Sequence, residues 1–442
     1  MSAFLASLLS LSLAAQEAPR PPNVLLIVAD DVGADSVRCY GERAEAPRTD
    51  SIDALASRGV RFTRAYANPW CSPTRAAVLT GRYSMRTGIG YPINRNTDSF
   101  ALADEETTLP ELVERERGAP FDSSAIGKWH LARFADLDAP RRQGFDWFEG
   151  SMGNLVGEDN YFSRREVRNG ELFETHKYAT VEEVDDAIAR VNAMREPWFL
   201  YLAFNTAHAP FHVPPPESSG ASFAEGHVPT DPELYSAMVQ SMDREIGRLF
   251  AALGPERTAR TNVIFLGDNG TPMDALEDRY KALRSKGTLF EGGIRVPLIV
   301  AGPSVSGEAR ACAELVGAVD LFATIAEMFG VDPRRAATSE RPIDSVSFLP
   351  LLRDAAAHSR RAYLLAEEFR PNGPGPYAEL HRALISREWK LGRDLDGSER
   401  FFDLRDPARA DAPLRIHELT GEQRQRYEAL RRELDALTQP PK

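Results

Sequence analysis

Cysteine is scarce in this chain: Cys39, Cys71 and Cys312 are the only three among 442 residues. Three thiols make no disulfide framework, so stability must come from a buried apolar core, and the sequence leaves open whether Cys39 and Cys312 pair. Basic charge is also short. Lys and Arg number 53 against 65 Asp and Glu, a formal net charge of −12. That balance argues against a nucleic-acid surface and repels anionic substrates at long range. An anion site here has to build its own local positive field from clustered Arg and Lys, helix starts or a metal ion. Past the N-terminus no stretch is apolar for long enough to span a bilayer, and no solenoid-type repeat is present.

What is present begins with residues 1–15, mostly small and apolar, with Ser12-Leu13-Ala14 forming a small-x-small cleavage site ahead of Gln16-Glu17. They predict a signal peptide and an exported protein, periplasmic or secreted, although the first residues carry no Lys or Arg. The whole chain is 43% hydrophobic and 27% charged, ordinary for a globular protein, and long enough for one large and one smaller domain. Asn23 to Ala29 is a continuous β-branched and aliphatic run, as in a strand buried on both faces of a parallel sheet, and it ends on Asp30-Asp31. Asn262 to Gly267 repeats the pattern and ends on Asp268-Asn269. Open α/β sheets place their ligands at the carboxyl ends of such strands, so acids delivered there by two strands predict one shared site. Their side chains are hard oxygen donors, a set that favours Ca²⁺ or Mg²⁺ over Zn²⁺.

Ser123 to Gly127 reads as a strand leading to Lys128-Trp129-His130, and Trp198 to Phe204 as another ahead of Asn205 and His208. Helices are expected at Ser51 to Arg58, with Gly59 at a left-handed stop, at Glu111 to Arg117 behind a Thr108 cap, at Val181 to Arg195, at Leu234 to Leu253 and at Val319 to Phe329. Pro140 to Tyr178 reads as loops. The expected architecture is α/β: a large mixed, mostly parallel central sheet flanked by helices over residues 22–352, then a small α+β unit over 360–442 with an antiparallel sheet and a terminal helix.

Asn68-Pro69-Trp70-Cys71-Ser72-Pro73-Thr74-Arg75 passes into the apolar run Ala76-Ala77-Val78-Leu79-Thr80 and stops at Gly81-Arg82. This places Cys71 at a helix start, with Pro73 where a missing N–H costs little. Amides at a helix start face an anion, and Arg75 adds a planar cation suited to oxyanions. The alternative is a buried thiol packed as a small hydrophobe. The spacing is not that of a tyrosine-phosphatase loop, which needs five residues between Cys and Arg where this chain has Ser72, Pro73 and Thr74.

The string from Cys71 to Arg82 closely resembles the signature of formylglycine-dependent (type I, arylsulfatase-like) sulfatases, of the alkaline phosphatase superfamily. The likeness runs from Pro22 to Leu404. Asp30-Asp31 and Asp268-Asn269 resemble the family's two metal pairs, and Gly127-Lys128-Trp129-His130 its second signature. Lys286-Gly287-Thr288 with Glu291-Gly292-Gly293 is similar to its lysine motif, and His208 to its middle histidine. Trp70, where a smaller residue is usual, and Pro120-Phe121, where Gly-Tyr is frequent, depart from the pattern.

The resemblance implies hydrolysis of sulfate monoesters, most naturally of a sulfated carbohydrate. It further implies that a maturation enzyme oxidises Cys71 to formylglycine, and that Asp30, Asp31, Cys71, Asp268 and Asn269 hold Ca²⁺, or alternatively Mg²⁺. Arg75, Lys128 and Lys286 would neutralise the sulfate. One oxygen of the hydrated aldehyde would attack sulfur, His208 with Lys286 would protonate the leaving oxygen, and His130 would deprotonate the remaining hydroxyl so that C–O cleavage releases sulfate. Two alternatives are a phosphonate or phosphate monoester hydrolase of the same superfamily and an unconverted sulfate-binding protein. His212 either lines the substrate pocket or lies at the surface. Substrate selection is expected from the loops Gly88 to Asp104, Pro140 to Tyr178 and Pro371 to Leu380.

Overall fold

The structure is a computed structural model that describes residues 21–94, 100–220 and 222–438. The expected signal peptide at 1–15, and residues 95–99 of one expected substrate loop, lie outside the described residues.

Four parallel strands form the middle of a ten-stranded sheet: in spatial order Thr261–Gly267, Asn23–Ala29, Trp198–Ala203 and Asp122–Gly127. The first three are buried along their whole length, as their unbroken apolar runs require. Their registers set Ala29 beside Gly267 and Val28 beside Ala203, with Gly127 on the far side of Ala203. All four strands therefore end at nearly one level. Beyond Thr261–Gly267 the sheet turns mixed, with Leu298–Ala301 antiparallel to it, then Val60–Phe62 and Arg310–Cys312.

Helices cover both faces. One face packs against Cys71–Thr80, Leu109–Arg117 and Leu321–Met328. The other packs against Asp50–Ala56, Ala179–Ala193 and Asp231–Thr258. Leu109–Arg117 starts at the expected Thr108 cap, which forms a capping box with Glu111, and stops at a left-handed Gly118.

The large mixed, mostly parallel sheet with its smaller antiparallel companion is the architecture expected, but two local readings are corrected. Gly59 is not left-handed; glycine is needed there because a Cβ would sit 2.2 Å from the Val300 carbonyl oxygen. The segment Pro140 to Tyr178 is not all loop. It adds Trp147–Gly150 and the hairpin Arg164–Arg168 with Glu171–Thr175 to the sheet edge. That hairpin turns on Asn169-Gly170, both at positive φ, the usual two-residue hairpin signal. Its charged residues hid the strand pattern.

The small sheet runs antiparallel in chain order through Leu364–Arg370, Glu379–Ile385, Trp389–Asp394 and Glu399–Asp403, with helix Gly421–Thr438 against it. It shares a core with the larger part: Tyr66, Ala77 and Ile294 pack in one cluster with Leu384, Leu391 and Phe401. Arg361, in the connection, is bound to Asp320 and to the Tyr83 hydroxyl.

Candidate active site

The helix Cys71–Thr80 is buried at every residue and ends at a left-handed Gly81. Its first turn points at the carboxyl ends of the four central strands. Ser72 fixes this end by donating from Oγ to the His130 carbonyl at 2.8 Å while accepting from the Ile93 amide at 3.1 Å. Cys71 Sγ lies 3.2 Å from His130 Nδ1. The other ring nitrogen, Nε2, is 3.0 Å from the Ile93 carbonyl. A carbonyl only accepts, so the proton belongs on Nε2, and Nδ1 presents a lone pair to the Cys71 position. Burial first, then the charges of Lys128 and Arg75, push the His130 pKa well down and keep the ring neutral. Burial pushes the Cys71 thiol up, so unmodified Cys71 is a protonated and weakly nucleophilic group at neutral pH.

Arg75, fully buried, donates from Nε and Nη2 to Asp268 Oδ2 at 3.0 and 2.8 Å and from Nη1 to the Lys128 carbonyl at 2.7 Å. Its Nη2 comes within 3.8 Å of Asp30 Oδ2. Arg75 thus braces two strand ends against the helix. Lys128 Nζ is bonded to Asp30 Oδ2. Burial alone raises the Asp30 pKa, but Lys128, His208, Arg75 and Lys286 together hold it far below the carboxylate range. Asp268 is pushed the other way, to about 6, by burial and by the neighbouring Asp30 charge.

Asp31 takes a left-handed backbone, φ 62°, and its Oδ1 accepts from Asn269 Nδ2 at 2.8 Å and pairs with Lys286 Nζ at 2.5 Å. His208 Nε2 is 4.0 Å from Asp31 Oδ2, with its Nδ1 donating to the Ala209 carbonyl at 2.7 Å. Burial and Lys286 lower the His208 pKa. Lys286 is held by residues distant along the chain: its amide bonds to Thr271 O at 3.0 Å, its ammonium lies 5.6 Å from the Trp70 ring centroid, and the Gly287 amide bonds to Pro69 O at 3.0 Å. At Gly287 a Cβ would sit 2.7 Å from Trp70, so the bulk of Trp70 is accommodated by a glycine.

Unmet oxygens make a place for a hard cation here. Asp30 Oδ1 and Asn269 Oδ1 are buried with no hydrogen-bond partner, an arrangement that costs a few kcal/mol per group unless something binds it. Donor atoms of Asp30, Cys71 and Asp268 lie within 4.8 Å of one another. Asp31 stands outside that tight group, turned toward Lys286, but is tied to it through Asn269 and through its amide on Asp268 Oδ1 at 3.1 Å. All ten residues expected from sequence gather at this end of the sheet.

Residues 22–331 match the Sulfatase family model. The chain belongs to the sulfatase family. Sulfatases are sulfuric ester hydrolases, and among the described residues of this one no helix is long and apolar enough to cross a membrane. It is 31% identical over 374 residues to the N-acetylgalactosamine-6-sulfatase of Canis lupus familiaris, covering 77% of this chain and 67% of that one. To Arylsulfatase J of Mus musculus it is 29% identical over 325 residues, covering 69% of this chain and 52% of the relative. The sulfatase thus spans between half and two thirds of the length of these relatives. Among solved structures it resembles Ps i-CgsB in complex with k-i-k-neocarrahexaose, with a TM-score of 0.76, 24% identity and coverage of 95% and 93% of the two chains. It also resembles BT4656 in complex with its substrate D-glucosamine-2-N,6-O-disulfate, with a TM-score of 0.72, 18% identity and coverage of 95% and 97%. At these identities the two structures share the sulfatase fold.

Sequence reasoning missed the residues that hold the site together. Ser72 and Ile93 orient His130. The Tyr161 hydroxyl reaches the Asn205 and His208 carbonyls at 2.6 and 2.7 Å, and Glu183 receives the Asn205 side chain at 2.8 Å. Ser72 lies in the signature string without its role being visible there; Ile93, Tyr161 and Glu183 carry no local motif and are defined only by what they meet in space. His212, left open by the sequence, packs tilted against Tyr161 with ring centroids 4.4 Å apart and meets the Tyr178 hydroxyl at 3.1 Å.

Proposed function

We propose that this sulfatase removes sulfate from a sulfated carbohydrate, with formylglycine made from Cys71 and with Ca²⁺, or alternatively Mg²⁺, held by Asp30, Asp31, Asp268, Asn269 and the modified Cys71. One observation carries the reading: at a buried helix start, Cys71 Sγ faces the lone pair of His130 Nδ1 and two buried carboxylates. Sγ stands in for an oxygen of the modified residue. A plain thiol in that place is protonated and poorly reactive, which favours a modified side chain as the working group. When present, the formylglycine hydrate supplies the nucleophilic oxygen and the C–O bond whose cleavage frees sulfate, and the cation polarises that oxygen and offsets sulfate charge.

The chain's own groups then have distinct tasks. Lys128 and Lys286 offset the charge of the ester, which the net charge of −12 would otherwise repel. Arg75 acts mainly by holding Asp268 and the Lys128 backbone in place, since its donors are committed to them. His130 accepts a proton at Nδ1 while Nε2–H stays on Ile93 O. His208 gives a proton to the leaving oxygen from Nε2, and bound ester charge raises its proton affinity against the effect of Lys286. A carbohydrate substrate is supported by relatives named N-acetylgalactosamine-6-sulfatase and by likeness to structures in complex with k-i-k-neocarrahexaose and with D-glucosamine-2-N,6-O-disulfate. The 22–352 part is proposed as catalytic with 360–442 as its C-terminal subdomain, and the protein as exported and matured by a formylglycine-generating or equivalent enzyme.

The test joins mass and turnover. In protein from its native host, the peptide spanning Cys71 should carry the aldehyde, and aryl sulfate should be turned over far faster than aryl phosphate. Cys71→Ala should abolish turnover with the fold intact. A wholly thiol peptide in fully active protein refutes the nucleophile, and preference for phosphate refutes the reaction.

A further inference from the structure

A cavity of about 190 Å³ opens where the loop from Gly287 to Phe290 faces the small antiparallel sheet. None of the chemistry above uses it. The loop leaves Lys286 directly, so the cavity lies within on the order of 14 Å of backbone from a proposed sulfate-binding group. A line of touching side chains joins the two. Lys286 lies over Trp70, Trp70 meets Tyr91 edge to face at 4.9 Å, Arg370 stacks on Tyr91 at 3.7 Å, and Arg370 Nη2 reaches Glu368 at 3.2 Å in the cavity wall.

Charges in the cavity are already balanced. Lys390 is paired with Glu291 at 2.8 Å, Arg400 with Asp394 at 2.8 Å, and His381 Nδ1 with the same carboxylate at 2.7 Å. No net positive field remains for a second sulfate. What remains is a mixture of donors and acceptors: His381 Nε2, the second Glu368 oxygen and further Arg400 N–H groups. They stand beside two rings, Phe290 and Phe402, whose centroids are 5.9 Å apart at 86°. Cations lie over both rings, Arg284 and Arg400 at 4.8 and 5.8 Å from the Phe290 centroid and Lys390 at 4.9 Å from that of Phe402, so the rings offer aromatic C–H carbon; hydrogen-bonding groups of both kinds beside such carbon match a sugar ring, with hydroxyls on its edge and C–H groups on its face.

We propose that this cavity is a subsite for a neutral saccharide unit joined to the sulfated sugar. The assignment rests on the carbohydrate reading above, and makes the small sheet part of substrate selection.

Gly392 in the cavity wall provides the test. A Cβ there would come no closer than 3.7 Å to Arg400, so Gly392→Leu fills the cavity without backbone strain. The full chain is assayed with N-acetylgalactosamine-6-sulfate, with the same unit in a disaccharide, and with nitrophenyl sulfate. Wild-type kcat/KM for the disaccharide should exceed that for the monosaccharide about tenfold. Gly392→Leu should erase that preference through KM and leave nitrophenyl sulfate turnover as it was. Arg400→Ala repeats the test if Gly392→Leu melts early. Absence of a disaccharide preference in wild type, or its survival in both variants, overturns the subsite. Ligand-observed NMR with the desulfated disaccharide separates this inference from the reaction: binding lost in Gly392→Leu supports the subsite even if no sulfate is released, and no wild-type binding at millimolar sugar overturns it even if sulfate is released.

Discussion

Lys390→Met tests how the small sheet is fastened to the catalytic loop. Lys390, with its side chain 1% exposed, crosses from the small sheet to Glu291, five residues beyond Lys286, and its Nζ meets Oε1 at 2.8 Å. Glu291 also accepts from the Tyr66 hydroxyl at 3.1 Å and has Arg295 at 3.5 Å. Burial by itself raises the Glu291 pKa, but Lys390 and then Arg295 bring it below the usual range. Removing one partner of a buried pair costs 3–5 kcal/mol as a rule, because the other charge stays buried. Tyr66 and Arg295 remain and Met keeps the apolar stem packed, so the expected loss is about 3 kcal/mol, at the low end of that range. The assay is urea denaturation of wild type, Lys390→Met, Glu291→Gln and the double variant. A depressed carboxyl pKa contributes stability above the unfolded value near 4.3 and loses it as pH falls through the folded value. The Lys390→Met deficit should therefore be full at neutral pH and shrink toward pH ~4 as Glu291 protonates. The double variant should recover part of the loss. Unchanged stability of Lys390→Met, or a double variant whose loss equals the sum of the singles, would refute the coupling.

Three further outcomes follow from the same geometry. Dialysis against a chelator should lower sulfatase activity at least tenfold and Ca²⁺ or Mg²⁺ should restore it; full activity in metal-free protein contradicts the ligand set. His208→Ala should lower kcat by roughly 10²–10⁴ on alkyl or sugar sulfates, and much less on nitrophenyl sulfate, whose leaving group needs no proton; equal losses on both would remove His208 from proton donation. Glu183, pushed up to about 8 by burial, gives the pH test. A raised carboxyl pKa favours the folded state fully below the unfolded value near 4.3 and loses that contribution as pH rises to about 8. Glu183→Gln keeps an acceptor for Asn205 and cannot ionise, so its urea midpoint should exceed that of wild type at pH ~9 and approach it near pH ~5; parallel profiles would show that Glu183 is not the titrating group.

The chemistry-bearing residues were legible because each sits in a local pattern with a local physical cause. Apolar runs end in Asp30-Asp31 and Asp268-Asn269 because a strand buried on both faces can be polar only where it leaves the sheet. Cys71 and Arg75 lie within one helical stretch, and its Gly81 stop is visible without coordinates. The hairpin at Asn169-Gly170 was equally local, but its charged edge strands masked the alternation that marks a strand.

Tertiary structure alone decided how those residues meet. Composition and motif spacing do not reveal that Ile93 selects the His130 tautomer, that Arg75 is committed to Asp268, or that Asp31 turns toward Lys286. Each depends on contacts across dozens to hundreds of residues, set by strand register and by which face a helix buries. The cavity beside Gly287 is the clearest case. Its walls come from a catalytic loop and from strands some hundred residues later, and no local signal in either foretells the space between them. Sequence determined the reactive groups through local patterning, and packing determined their protonation, their partners and the room beside them.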